Sequence, residues 1–308
     1  MLSLYKIIQP RKDTTMRFIK DILCGILIGI ANIIPGVSGG TMAVSMGIYD
    51  KIIGSITNLF KQFKKSVITL FPYAIGMVAA IIGLSYFIET FFENYPLQTS
   101  SLFVGLILGG VPILIKKVKN PSAGGKSASR RFDVLDMILF LSFFALIILL
   151  QVFGSGKEAK ITLTVSVFQM LKLFIIGVIA SATMVIPGVS GSMVLLILGY
   201  YNPIIETINS TIRALSPWDF NTILHNVAIL APFGIGVLVG IFAIAKIIEF
   251  LLSRYEKRTY YAILGLVVAS PFAIYMGIGF GVITVASVIV SVLTFAIGFV
   301  IAYYLGRE

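Results

Sequence analysis

Residues 35–41 read PGVSGGT, and residues 187–192 repeat the pattern as PGVSGS in the second half of the chain. Each copy lies inside a long apolar run. Proline removes a backbone donor and glycine weakens a helix, so each copy predicts a break in a helix. Between hydrophobic segments, such a break places backbone N–H groups at membrane depth, where only protein or a wet cavity satisfies them. Paired breaks of this kind indicate the binding site of a transporter.

The composition predicts an all-α polytopic membrane protein. The 308 residues have a mean hydropathy of +1.01, and 58% are hydrophobic while 12% are charged. Several apolar runs are long enough to span the hydrocarbon core, and the short alternating segments of a transmembrane barrel are not visible. The net charge of +11 resides in short loops, which favours a topology signal over a nucleic-acid partner. With one cysteine and one histidine, we expect no metal site and no cofactor.

Two hairpins and six spans account for the apolar runs. The predicted spans are residues 71–92, 97–115, 134–153, 228–252, 260–277 and 282–305. The predicted hairpins, residues 18–49 and 165–201, each run through one motif into a short apolar piece of nine residues. Nine helical residues reach roughly 14 Å, about half of the hydrocarbon thickness. We therefore predict re-entrant hairpins within a single transmembrane domain, residues 1–308. Outside the apolar runs we expect a polar arm at residues 1–17, a hydrophilic loop at 116–131 and a polar interfacial segment after Tyr201 through Trp218.

The chain is an internal repeat, with copy one at about 18–153 and copy two at about 165–305. Pairs of identical residues separated by 152 or 160 positions include Lys20 and Lys172, Gly47 and Gly199, Tyr49 and Tyr201, Pro72 and Pro232, and Glu89 and Glu249. One hairpin plus three spans gives each copy an odd number of crossings, so we expect the copies to be inverted in the membrane. If the N-terminus is cytoplasmic, the outer segments hold only Lys157, Lys160, Lys172 and Arg213, as the positive-inside rule requires.

The helix that follows each break offers the chemistry of an anion site. Its first N–H groups have no intrahelical partner, the helix dipole adds partial positive charge, and glycines allow close approach. Phosphate is a common guest of such sites. The predicted binding residues are Asn32, Pro35, Gly36, Ser38, Gly39, Gly40, Thr41, Pro187, Gly188, Ser190, Gly191 and Ser192. The alternative interpretation is that the small residues only permit tight helix packing.

Four charged residues form two pairs across the repeat, and each pair allows two interpretations. Lys20 and Lys172 begin the first arm of each hairpin, where they either capture an anionic headgroup or snorkel to the interface. Glu89 and Glu249 lie near the ends of their spans, where they either relay protons or sit at the interface. We include the lysines among the candidate binding residues and the glutamates as candidates for proton coupling.

The two motifs, each followed by Gly-x-Tyr, resemble the PopT family of bacterial membrane proteins over nearly the whole chain. The resemblance implies a translocase that returns undecaprenyl phosphate, the carrier of cell-wall precursors, from the outer to the inner face of the cytoplasmic membrane. It implies a polyprenyl-phosphate lipid as the partner, besides the membrane lipids. The distribution of basic residues predicts a multi-pass protein with both termini cytoplasmic. The functional residues that the resemblance implies in this sequence are the motif positions alone.

Two other functions remain as alternatives at this point. A transporter of a soluble anion, such as sulfate or an organic acid, would need an aqueous route closed to lipid. An enzyme acting on a lipid phosphate would need a general base or a metal cluster, and the lone His225 with no paired acidic motif argues against one. We therefore expect a transporter and no enzymatic activity.

Overall fold

A computed structural model of the protein describes residues 10–34, 37–120, 133–153, 161, 163–216, 218–277, 279 and 283–306, without the side chains of residues 10–14 and 85. Within these ranges the chain forms eleven α-helices and no β-strand. In chain order they are α1 (Pro10–Ile33), α2 (Gly39–Ser45), α3 (Tyr49–Thr57), α4 (Phe63–Asn94), α5 (Pro96–Lys119), α6 (Val134–Phe153), α7 (Val167–Val185), α8 (Gly191–Ile197), α9 (Tyr201–Leu215), α10 (Phe220–Gly277) and α11 (Val285–Leu305). The predicted all-α architecture is confirmed.

Six of the described helices are long and apolar enough to cross a membrane, as expected of a multi-pass membrane protein. They are α4 over Phe63–Leu84, α5, α6, α7, α10 and α11. Helix α10 has 58 residues, and a straight helix of that length would measure about 87 Å, nearly three times the hydrocarbon thickness. It breaks at Tyr255, where φ is −130° and ψ is 41°. The break separates residues 220–254 from 256–277, the two segments predicted as separate spans.

The break at Tyr255 has a counterpart in the first copy. Tyr95 separates α4 from α5 with φ −135° and ψ 55°, nearly the same backbone conformation. The two tyrosines are 160 positions apart, which is the offset found in the sequence for this part of the repeat. Residues 220–254 and 256–277 therefore correspond to α4 and α5.

Both motifs interrupt the chain as predicted, and a short helix follows each. Helices α2 and α8 have seven residues each, about 10 Å, so they are shorter than the nine-residue pieces predicted. Each ends in a turn whose left-handed residue is Gly47 (φ 69°) or Gly199 (φ 77°). In both copies the residue after this glycine donates its N–H to the carbonyl five positions earlier, which defines a Schellman turn. After the second turn α9 leaves α8 at 109°.

The two copies share the packing of their first and fourth helices. Helix α1 lies on α4, and a Cβ added to Gly25 would come within 2.4 Å of the carbonyl oxygen of Tyr73. Helix α7 lies on residues 220–254 in the same manner, and a Cβ added to Gly177 would stand 2.2 Å from the carbonyl oxygen of Phe233. Only glycine allows backbones to approach this closely. The inverted orientation of the copies in a membrane stays a prediction.

The last helix of each copy packs on the other copy. Helix α11 lies along α5, with Gly105 against the backbone of Phe295, and α6 lies along residues 256–277, with Gly265 against the backbone of Phe140. Neither copy therefore completes its own core.

Some element boundaries differ from the prediction. The polar arm predicted at residues 1–17 becomes part of α1 from Pro10 onward, and residues 1–9 lie outside the described residues. The polar segment predicted after Tyr201 is the amphipathic helix α9, followed by the exposed Trp218. Of the polar loop predicted at 116–131, residues 116–119 are helical, and residues 121–132 lie outside the described part of the chain.

Candidate functional site

The two motifs touch. The backbone N–H of Gly188 donates a hydrogen bond of 2.6 Å to the hydroxyl oxygen of Thr41, and both residues are buried. Gly40 lies against the same turn, because a Cβ there would stand 3.2 Å from the carbonyl oxygen of Val185. The Tyr49 hydroxyl donates to that carbonyl at 3.1 Å. Residues 147 positions apart therefore meet, and the two motifs are in direct contact.

The first short helix presents an incompletely capped N-terminus. Ser38 occupies the N-cap position of α2, but its side chain makes no capping hydrogen bond. Instead, the side-chain oxygen of Asn32 accepts from the N–H of Gly39 at 3.1 Å. Ser38 is 5% exposed, and within the described part of the chain its hydroxyl has no hydrogen-bond partner. Since buried polar groups are nearly always paired, a ligand is one explanation for this hydroxyl.

The second short helix has a similar N-terminus, but its residues are less buried than those of the first. Ser190 occupies the N-cap position of α8 without a capping bond, and its hydroxyl lies 2.9 Å from that of Ser192. A Cβ added to Gly191 would stand 2.9 Å from Cγ of Met184, and one added to Gly39 would stand 2.6 Å from Oδ1 of Asn32. Met184 and Asn32 are 152 positions apart, so equivalent residues cover the two glycines.

Exposure differs sharply between the two half-helices. Six of the seven residues of α2 are buried, whereas no residue of α8 is. At the junction of the motifs, Asn32, Met184 and Ser192 are exposed. The turns are thus not sealed on all sides. Pro35 and Gly36 lie outside the described residues.

An ion-pair network lies at the end of the molecule that the sequence predicts to be cytoplasmic. Asp50 and Lys51 begin α3 side by side. Lys51 pairs with Asp21 of α1 at 2.8 Å, and the buried hydroxyl of Tyr73 donates to Asp21 at 2.5 Å and accepts from Lys51 at 2.9 Å. We call Asp21, Lys51 and Tyr73 the first triad.

The second triad consists of Asp50, Lys117 and Tyr260. Lys117 at the end of α5 pairs with Asp50, and the buried Tyr260 hydroxyl donates to Asp50 at 2.5 Å and accepts from Lys117 at 2.8 Å. The two triads together connect α3 to α1, α4, α5 and α10. A further buried pair, Lys257 with Asp136 at 2.7 Å, joins α10 to α6 at the same end.

The second copy carries no charge at the corresponding positions. The residues that match Asp21, Asp50, Lys51, Tyr73, Lys117 and Tyr260 are Leu173, Asn202, Pro203, Phe233, Gly277 and Ser100. The fold is therefore symmetric in its backbone breaks but asymmetric in the charges that hold one end together.

The other predicted site residues lie away from the motifs. Lys20 and Lys172 each precede Asn32 or its counterpart Met184 by twelve residues, about 18 Å along the helix. Lys172 is exposed, with its ammonium 4.4 Å from the ring centre of Phe168. Their roles stay predictions.

Glu89 and Glu249 lie at matching positions of α4 and residues 220–254, and Glu89 lies beyond the apolar span Phe63–Leu84. Glu89 is exposed near the end of α4. Glu249 is partly buried and accepts a long hydrogen bond of 3.4 Å from the side chain of Asn58 in α3. Proton coupling through either residue stays a prediction.

Reasoning from the sequence missed Tyr49 and the two triads as parts of this region. Tyr49 and its match Tyr201 were recognised as repeat residues only, and Asp50 and Lys51 only as the end of an apolar piece. The available signal was an adjacent acid and base directly after that piece. Their partners could not be found, since Lys117 and Tyr260 lie 67 and 210 positions from Asp50.

Comparison with known proteins assigns the chain to a family. Residues 28–288 match a family described as VCA0040-like, undecaprenyl phosphate translocase-like. The chain belongs to this family. The matched region includes both motifs, both triads apart from Asp21, and five of the six candidate spans, with only the first residues of α11.

Two curated members resemble the chain over most of its length. The polyprenyl-phosphate transporter of Staphylococcus aureus is 33% identical over 289 residues, which cover 93% of this chain and 95% of the relative. The polyprenyl-phosphate transporter of Vibrio cholerae is 27% identical over 273 residues, which cover 83% and 77% of the two chains. No solved structure matches the chain significantly.

Proposed function

We propose that the protein moves a polyprenyl phosphate across the bacterial cytoplasmic membrane, returning undecaprenyl phosphate from the outer to the inner leaflet. The observation that carries the proposal is the direct contact of the two motifs, Thr41 with Gly188, in a chain related along its length to polyprenyl-phosphate transporters. The family relationship supports the lipid, and the motif contact supports where its phosphate binds.

The phosphate is held at the junction of the two motifs. The buried hydroxyl of Ser38 has no hydrogen-bond partner among the described residues, and the hydroxyls of Ser190 and Ser192 lie 2.9 Å apart at the start of α8. The first-turn N–H groups of α2 and α8 add backbone donors. Phosphate oxygens accept several such bonds at once, and bonds to a charged acceptor are stronger than those between neutral groups. The polyprenyl tail stays in the bilayer throughout.

Access to this site alternates between the two faces. In the described conformation the triads close the end predicted to be cytoplasmic, while α8 and the junction residues Met184 and Ser192 are exposed. This conformation corresponds to one in which the site is reached from the opposite face. Opening to the cytoplasm requires both triads to separate, because α3 contributes a residue to each.

The decisive experiment uses Ser38→Ala in proteoliposomes loaded with labelled undecaprenyl phosphate. Because the Ser38 hydroxyl has no partner among the residues that the structure describes, its removal leaves the thermal stability nearly unchanged. Translocation falls about tenfold or more, since a hydrogen bond to a charged group contributes roughly 1.5–3 kcal/mol. The matched control is Ser45→Ala, which removes a buried hydroxyl that donates to the carbonyl of Ile107 at 3.2 Å. That variant loses stability rather than substrate binding.

Two glycine variants extend the test to both copies. Gly39→Val and Gly191→Val place a side chain against Asn32 and Met184, whose flexible ends move aside into the space proposed for the phosphate. Both variants fold and lose translocation. Unchanged flipping in correctly folded protein, or equal transport of sulfate and free phosphate, contradicts the proposal and favours a soluble anion.

A further inference from the structure

A groove of about 600 Å³ runs between α1 and α11, which do not lie against each other along this face. Helix α1 lines it with Leu23 and Leu27, and α11 lines it with Val300 and Ile301. Lys20 and Tyr304 close the end at which α1 begins and α11 finishes. The groove is therefore a hydrocarbon surface with a cation at one end.

The direction of the groove relates it to the motif junction. Lys20 lies at the end predicted to face the cytoplasm, and the apolar lining continues along α1 toward Leu27. Asn32, at the junction, follows Leu27 by five residues, about 8 Å of helix. A molecule lying in the groove would thus reach from the membrane interface toward the candidate site.

We propose that this groove binds polyprenyl phosphate itself as the lipid leaves the motif junction for the inner leaflet. A segment of the isoprenoid chain lies on Leu23, Leu27, Val300 and Ile301, and the phosphate meets the ammonium of Lys20. This inference rests on the proposed function and adds a second binding position to it. Charge complementarity supports this occupant, because the ligand combines a single anionic group with a long apolar chain, as the groove combines one lysine with an apolar floor.

The second copy repeats the same pattern of residues on α7. Lys172, Ile175 and Ile179 stand 152 positions after Lys20, Leu23 and Leu27. Ile175 is 48% exposed, close to the 47% of Leu23, so the apolar stripe behind the lysine is presented in both copies.

Photocrosslinking tests the groove directly in the full-length protein. A photoreactive residue replaces Ile301 in the groove, and the control replaces Val292, which is 62% exposed on the opposite side of α11. In vesicles of phosphatidylglycerol and phosphatidylethanolamine with a trace of labelled undecaprenyl phosphate, position 301 crosslinks the label and position 292 does not. Lys20→Gln lowers the crosslink about fivefold, which corresponds to the roughly 1 kcal/mol of one lysine near an anionic lipid.

Competition separates this lipid from the others. Excess unlabelled undecaprenyl phosphate removes the crosslink, while excess phosphatidylglycerol or undecaprenol leaves most of it. Equal competition by phosphatidylglycerol overturns the proposal and identifies the groove as a site for bulk lipid. Crosslinking only within the chain also overturns it.

A transport assay keeps the two proposals distinguishable. Ile301→Trp fills the groove and slows translocation, and Val292→Trp leaves it unchanged. If wild-type protein translocates undecaprenyl phosphate but neither crosslinking nor Ile301→Trp has the expected effect, the groove proposal fails alone. If wild-type protein translocates no polyprenyl phosphate, the proposed function fails.

Discussion

The hydroxyl of Thr41 accepts the backbone N–H of Gly188, and this bond joins equivalent motifs from the two halves of the chain. The bond is asymmetric, because Ser192, which lies close to the position that corresponds to Thr41, pairs with Ser190 of its own copy instead. One motif is therefore buried and supports the other, whose half-helix is exposed.

Replacing Thr41 tests this bond. Thr41→Val keeps the shape of the side chain but leaves the buried N–H of Gly188 unpaired. We expect the free energy of unfolding to fall by about 1–3 kcal/mol, the desolvation penalty of an unsatisfied buried group. Denaturant titration in mixed micelles measures it, with Thr41→Ser as the control that keeps the acceptor. Equal stability of the two variants would show that the bond contributes nothing.

A charge placed beside the proposed phosphate separates binding from folding. Asn32→Asp retains an acceptor for the N–H of Gly39 but adds a negative charge at the junction. We expect a normal melting temperature and a translocation rate that is lowered tenfold or more. The new carboxylate and the phosphate carry like charges, and a repulsion of roughly 1.4 kcal/mol between them is enough for a tenfold change. Asn209→Asp, on the exposed side of α9, is the control with the same change of charge. Normal translocation by Asn32→Asp would place the phosphate elsewhere.

The second triad makes a prediction about stability. Tyr260→Phe removes a buried hydroxyl that bonds to both Asp50 and Lys117. We expect a loss of about 1.5–3 kcal/mol in the free energy of unfolding, the range for hydrogen bonds to charged groups. For comparison, Asp133→Asn breaks an exposed pair with Arg258 at 3.5 Å and should cost less than about 1 kcal/mol. Similar losses in the two variants would contradict a structural role for the triad.

The inverted repeat predicts opposite labelling of equivalent positions. Asn94 and Arg254 precede the matching breaks at Tyr95 and Tyr255, and both are exposed. In a Cys24→Ala background, Asn94→Cys should react with a membrane-impermeant thiol reagent from outside intact cells, and Arg254→Cys only after the cells are opened. Labelling of both from the same side would reject inversion.

Much of the fold follows from local features of the sequence. Apolar run length predicted α4, α5, α6, α10 and α11 as spans, whereas α7, which is also long and apolar enough to cross a membrane, was predicted as an arm of a hairpin. Helix ends were less accurate, since α4 extends eight residues before the predicted start at 71. Apolarity marks where a helix lies in the membrane, whereas its hydrogen bonds continue into the polar headgroup region.

The candidate site was predictable only in part. The motif residues came from repetition and backbone chemistry, and the structure brings those it describes together. The pairing of Asp50 with Lys117 depends on how α3 and α5 pack, which no local pattern encodes. The exchange of α6 and α11 between the copies is likewise a property of tertiary packing, so the groove beside Lys20 could not be anticipated.

That exchange has a consequence for biogenesis. The ribosome synthesises α5 long before α11. The surface of α5 around Gly105, which packs against α11, therefore stays uncovered until the final helix of the chain is inserted. Helix α6 likewise waits for residues 256–277. The first half of the polypeptide therefore cannot mature as a unit, and a premature stop before Val285 should send the nascent protein to membrane quality control instead of yielding a half-sized carrier.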